Sequence, residues 1–178
     1  MAAQMNEDQL KNLSDSVEHS EQGERPAEEQ TEAVAQGGWF PYPPSRPARL
    51  IPPIAVAYIG DAVYEVAARQ YVLAKAQMSP NHLHRRATGL GTAQAQSRIL
   101  TGIEEQLTEE ERDVVRQGRN AKSGSIPKNA DVLEYRHATA LECLVGYLYS
   151  SGRHERMIQL ITQGIEHAEK QSPPPNKK

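Results

Sequence analysis

The sequence has a single cysteine, Cys143, one tryptophan and one phenylalanine. One cysteine excludes an internal disulfide and any multi-cysteine metal cluster, and it fits a reducing cytoplasm. No apolar run approaches the roughly 20 residues of a membrane span. No basic start followed by an apolar stretch marks a secretory leader. There is no P-loop, no GxGxxG, and no legible Ser-His-Asp or Cys-His arrangement. Runs of alternating β-branched residues are also missing, which argues against sheet. Apolar residues are 38% of the 178 and the mean hydropathy is −0.68, so part of the chain is expected not to join a compact core.

Charge divides the chain. Residues 1–48 carry nine acidic and three basic residues, a net of −6, whereas the remaining 130 carry a net of +3. Residues 1–37 are rich in Glu, Gln, Ser and Ala without a sustained apolar stripe, a composition that predicts disorder. "GGWFPYPPSRP" (37–47) reads as a Pro-rich linker, because proline removes backbone donors. Trp39 and Phe40 either dock on the domain or form a mobile aromatic pair. Residues 172–178 read as a flexible tail. The expected organisation is an acidic extension and linker over 1–48, a helical domain over 49–171, and that tail.

Residues 49–171 read as an all-α bundle. The first helix is expected over 53–77. A second opens at Ser79 with Pro80 in its first turn and runs to about residue 100, with Gly89 and Gly91 as weak points. A third starts at "TEEERDVV", where Thr108 and Glu111 form a capping box. A Gly-, Lys- and Arg-rich loop over 116–131 follows, then helices over 132–149 and 153–169.

The first of these helices is apolar nearly all round, the pattern of a helix buried in the middle of a bundle. Its polar exceptions, Asp61, Glu65 and Arg69, fall on one stripe at i, i+4, i+8. The helix over 132–149 repeats the pattern with Thr139, Glu142 and Gly146 at i, i+3, i+7. Each stripe carries an acid, and each helix a glycine, Gly60 or Gly146, where another backbone can approach closely. Two carboxylates on facing buried helices are expensive without a cation. Magnesium resolves this, since it needs only one or two protein carboxylates. The bland alternative is that Asp61 caps a kink and Glu142 pairs with a buried arginine. Glu65 and Arg69 also suit an ordinary i, i+4 pair. Zinc fits less well, because His82 and His84 point to different faces of a helix.

Arg116, Arg119, Lys122 and Lys128, with Gly118 and Gly124 to free the backbone, make the loop a candidate phosphate-tracking surface. Arg85 and Arg86 add to it from "HLHRRA". A charged loop is more often simply solvated. Beside a metal site, however, this one would supply the substrate-binding half of a phosphodiester-cleaving enzyme.

"AYIGDAVYE" (57–65), "HLHRRAT" (82–88) and "GRNAKSGSIPKNADVLEYRHATALECLVGYLY" (118–149) together resemble Mini-ribonuclease III, the short bacterial branch of the ribonuclease III family without a double-stranded-RNA-binding domain. The resemblance runs over about residues 50–169. It implies a homodimeric, all-helical, magnesium-dependent endoribonuclease that cuts double-stranded stems at the 5′ and 3′ ends of the 23S ribosomal RNA precursor. A ribosomal protein bound to that precursor would be a further partner. Asp61 matches the aspartate of the "GDA" signature and Glu142 the glutamate of the later metal-binding helix, with Gly60, Glu65 and Thr139 in support. Full-length ribonuclease III has further acids where this chain has Ala57 and Thr139, which implies fewer direct metal ligands per site. Two other functions compete. One is a non-catalytic RNA-binding or ribosome-assembly protein, against which both acids are present. The other is a helical metal-dependent nucleotide phosphohydrolase, which would not need the basic loop.

Overall fold

The computed structural model describes residues 38–75, 79–121 and 131–171. The acidic stretch 1–37, Lys122, Gly124, Pro127, Lys128 and the tail 172–178 lie outside the described residues. Within these, six α-helices and no strands are present: α1 (Pro53–Lys75), α2 (Pro80–Leu90), α3 (Ala93–Ile103), α4 (Glu109–Asn120), α5 (Val132–Ser150) and α6 (His154–Gln171). Short 3-10 turns at Ala48–Leu50 and Glu104–Gln106 precede α1 and follow α3.

Local chemistry sets most of the boundaries. At α4 the expected capping box forms: Thr108 Oγ1 accepts from the Glu111 amide at 3.2 Å, and Glu111 Oε2 accepts from the Thr108 amide at 2.9 Å. Asp131 caps α5 by accepting from the amides of Leu133 and Glu134. That helix stops at Gly152, which adopts φ 68°, a left-handed conformation that suits glycine. Its closing bonds, Gly152 N–H to Tyr149 O and Arg153 N–H to Leu148 O, form a Schellman motif.

Three sequence expectations are corrected here. The single helix expected over 79–100 is two helices. Thr92 donates its hydroxyl to Gly89 O and accepts from the Ala95 amide, so it closes α2 and caps α3 in one step. Residues 116–120, expected in the basic loop, are the last turn of α4. Gly118 there is not open to a ligand: a β-carbon on it would lie 2.7 Å from Cys143 Cβ.

The third correction concerns the middle of the bundle, which α5 occupies rather than α1. From Ala138 to Tyr149 every residue of α5 except Glu142 is buried. Helices α1, α3, α4 and α6 pack around it, and Tyr64, Ile99, Ile103, Leu141, Leu144, Leu148 and Ile165 are among the largest fully buried side chains of the core. Helix α1 buries one face against α5, and its other face, among polar residues, carries apolar side chains that the described residues leave open: Tyr58 is 82% and Leu73 66% exposed, and Ile54 and Val66 are exposed as well.

Ahead of α1, Ala48 is buried in the core. Further back, Trp39 is docked: its amide donates to Tyr149 Oη at 2.9 Å and its ring meets that of Tyr149 edge-on at 5.1 Å. Phe40 stays exposed.

Candidate active site

The site begins with two glycines. A β-carbon on Gly60 would collide with the main-chain carbonyl of Glu142 and lie 2.7 Å from the Gly146 amide. One on Gly146 would collide with the carbonyl of Val56. Helices α1 and α5 therefore cross backbone to backbone, an approach that a larger residue at either position prevents. Asp61 follows Gly60 directly, and at this crossing its charge is felt by the Glu142 carboxyl.

The electrostatics record this closeness. Glu142 is half-buried. Burial, and then the charge of Asp61, push its carboxyl up to about 7, while a hydrogen bond from Gln96 pulls the other way. Asp61 itself is exposed, not buried as its helix pattern suggests. Its pKa is still raised, first by partial desolvation and then by the charge of Glu65, against the opposing Arg69. Each carboxylate thus lacks a full counter-charge, as a cation-binding pair requires.

Gln96 is a site residue that the sequence reading missed. It is 2% exposed, and its side chain hydrogen-bonds Glu142. The available signal was a polar residue in line with Ile99, Leu100 and Ile103, the buried stripe of α3. Thr139 is buried three residues before Glu142, and its hydroxyl donates to Tyr135 O at 3.2 Å, within its own helix. Glu65 makes the ordinary pair with Arg69 at 2.7 Å and reaches Asp61 only through its charge. Among the described residues no group of three or more His, Cys, Asp or Glu side chains could hold a metal. Asp61 and Glu142 alone fit magnesium, a hard ion that keeps several waters and takes few protein oxygens. Cys143 is buried and its thiol is pushed up to about 12, mainly by desolvation, so it is neither nucleophile nor soft ligand.

The candidate RNA-binding residues separate. Arg85 and Arg119 are exposed. Arg86 is not displayed for a ligand alone, since it pairs with Glu169 of α6 at 2.7 Å, and Tyr71 donates to the other oxygen of that carboxylate. Arg116 pairs with Asp113 at 2.8 Å. Lys122 and Lys128 lie outside the described residues.

The helical bundle is the ribonuclease III type of catalytic domain: the family model described as "Ribonuclease III domain" matches residues 55–153. The similarity is more specific than that class. A Brevibacillus brevis Mini-ribonuclease 3 is 44% identical over 72% of this chain and 96% of its own. An Enterococcus faecalis Mini-ribonuclease 3 is 46% identical over 64% of this chain and 87% of its own. The crystal structure of a Fusobacterium nucleatum protein superposes with a TM-score of 0.61 at 29% identity, covering 68% of this chain and 98% of that one. The chain belongs to the Mini-ribonuclease 3 family, and its activity class is that of an endoribonuclease. No helix among the described residues is long and apolar enough to cross a membrane.

Proposed function

We propose that this endoribonuclease cuts double-stranded RNA as a magnesium-dependent homodimer, and that the 23S ribosomal RNA precursor is its substrate. The observation that carries the reading is the Asp61–Glu142 pair, set together by Gly60 and Gly146 and under-neutralised within the chain. Asp61 and Glu142 would hold the magnesium, which when bound would supply Lewis-acid stabilisation of the scissile phosphate and a better water nucleophile at neutral pH. The chain's own residues do the rest. Asp61 and Glu142 supply the oxygen donors. Gln96 holds the orientation of Glu142. Arg85, Arg119, Lys122 and Lys128 contact phosphates of an A-form duplex, which is read by shape rather than by base sequence.

The outer face of α1 supports the dimer. Tyr58, Val66 and Leu73 form an apolar stripe that the other described residues leave uncovered, and a stripe of that kind suits a self-complementary twofold contact. Two sites then face two strands. A ribosomal protein on the precursor is a further partner in this reading, and the cytoplasm its location.

Incubation with duplex RNA in magnesium or in chelator tests the activity, and mapping the cut ends on precursor 23S RNA, with and without bound ribosomal proteins, tests the substrate. Cleavage undiminished by chelator would overturn the metal assignment. Hydrolysis of nucleotides with duplex RNA left intact would overturn the nuclease reading altogether.

A further inference from the structure

The segment ahead of α1 takes no part in the site, and the family match begins only at residue 55. Its chemistry is distinct. From residue 33 to residue 60 the sequence contains no acid, two arginines (Arg46 and Arg49), and the chain's only tryptophan and phenylalanine. Phe40 is 67% and Tyr42 83% exposed. Large rings left in water at this density mark a binding surface.

The backbone that carries these rings is anchored. Trp39 is tied to Tyr149 by its amide and by its ring. The Tyr42 amide donates to Phe40 O at 2.8 Å, closing a three-residue turn around Pro41. Pro43, Pro44 and Pro47 restrict the chain that follows. Arg49 and Arg153 share one carboxylate, Glu110, at 3.4 and 2.6 Å, so this cluster keeps a net positive charge. The anchor also has a definite place relative to the chemistry. Tyr149 is seven residues after Glu142 on α5, which puts it on the same side of the helix about 10 Å further along.

We propose that residues 38–50 form a strap that binds unpaired nucleotides flanking the duplex, with bases stacked on Phe40 and Tyr42 and the backbone drawn by Arg46 and Arg49. This rests on RNA being the substrate. Exposed rings beside a cluster of net positive charge suit a single strand, which offers a π-face at every base and a charge at every phosphate. An apolar protein partner would have no use for the arginines.

The test compares a blunt RNA duplex with the same duplex carrying a short unpaired extension, bound by the full chain in chelator. The expected result is tighter binding of the extended RNA by at least about fivefold, the low end of one base–ring stack. Trp39, as the only tryptophan, should change its fluorescence with the extended RNA and not with the blunt one. In the double variant Phe40→Ala, Tyr42→Ala the preference should vanish while blunt-duplex affinity stays. Equal binding of the two RNAs by an enzyme that cleaves duplex overturns the strap and leaves the nuclease reading intact. Failure of the wild type to cleave any duplex overturns the nuclease reading instead. If the double variant changes the sedimentation coefficient, the rings belong to a contact between copies and the proposal is wrong.

Discussion

Gly60 lies against the main-chain carbonyl of Glu142 with no room for a β-carbon. The residue before one candidate ligand thus touches the backbone of the other, so any widening of the crossing also separates the carboxylates. Gly60→Ala gains up to about 1 kcal/mol of helix propensity, but the clash is with backbone, which cannot rotate away. Overpacking of that kind costs about 1–3 kcal/mol or more. A lower melting temperature together with reduced turnover is expected. A variant as stable and as active as the wild type would show that the crossing does not set the site.

Asp61→Asn and Glu142→Gln should each abolish cleavage while the fold persists. Among the described residues neither acid supports the core through an ion pair, and Glu142 is disfavoured as a charge by its own burial. Without metal, therefore, neither variant should melt earlier than the wild type, and added magnesium should stabilise the wild type more than either one. Circular dichroism melts beside a duplex-cleavage assay check this; normal turnover in either variant refutes the assignment.

Acid stability should depend on Glu111. Its carboxylate is buried and accepts from Arg156 Nε and Nη2, both at 2.9 Å, as well as from the Thr108 amide. The Arg156 guanidinium holds its pKa below the usual 4.5. A depressed folded-state pKa gives stability that is present above the unfolded value and lost as pH falls through the folded one. The loss should therefore appear below about pH 4.5. Glu111→Gln should flatten the melting temperature against pH in that window. Glu111→Ala, which removes the carboxylate but leaves Arg156 its bonds to Gln106 O and Gln159, should cost about 1–3 kcal/mol at neutral pH. An unchanged acid limb in the Gln variant would rule this out.

The cations should sort into two kinds. Neutralising Arg119, Lys122 and Lys128 together should weaken binding of unrelated duplexes alike and flatten log affinity against log salt, because fewer counterions are released. Arg86→Ala should instead lower stability slightly, by no more than about 1 kcal/mol for a partly exposed pair, as Glu169 keeps Tyr71 but loses its cation. A triple variant that melts early with an unchanged salt slope would make the loop structural.

Deletion of residues 1–37 should leave duplex cleavage intact, whereas deletion of 1–48 should lower the melting temperature. The second cut removes the Trp39–Tyr149 contact and Ala48 from the core. Equal melting temperatures for the two truncations would show that the strap adds nothing to the fold.

Much of the helical pattern was written locally. The Thr108–Glu111 box, Pro80 in its first turn and the apolar periods each depend on residues within a turn or two, so they are legible without knowing the neighbours. The stripes bearing Asp61 and Glu142 belong to this class, as do the motifs around them. What tertiary structure decided is which face meets which. An apolar stripe reads the same whether its own chain covers it or leaves it open, which is why α1 looked central and α5 proved to be. Gln96 reached Glu142, Arg156 reached Glu111 and Arg86 reached Glu169 across 45 or more residues. No periodicity encodes such partners, because they exist only once the helices have packed.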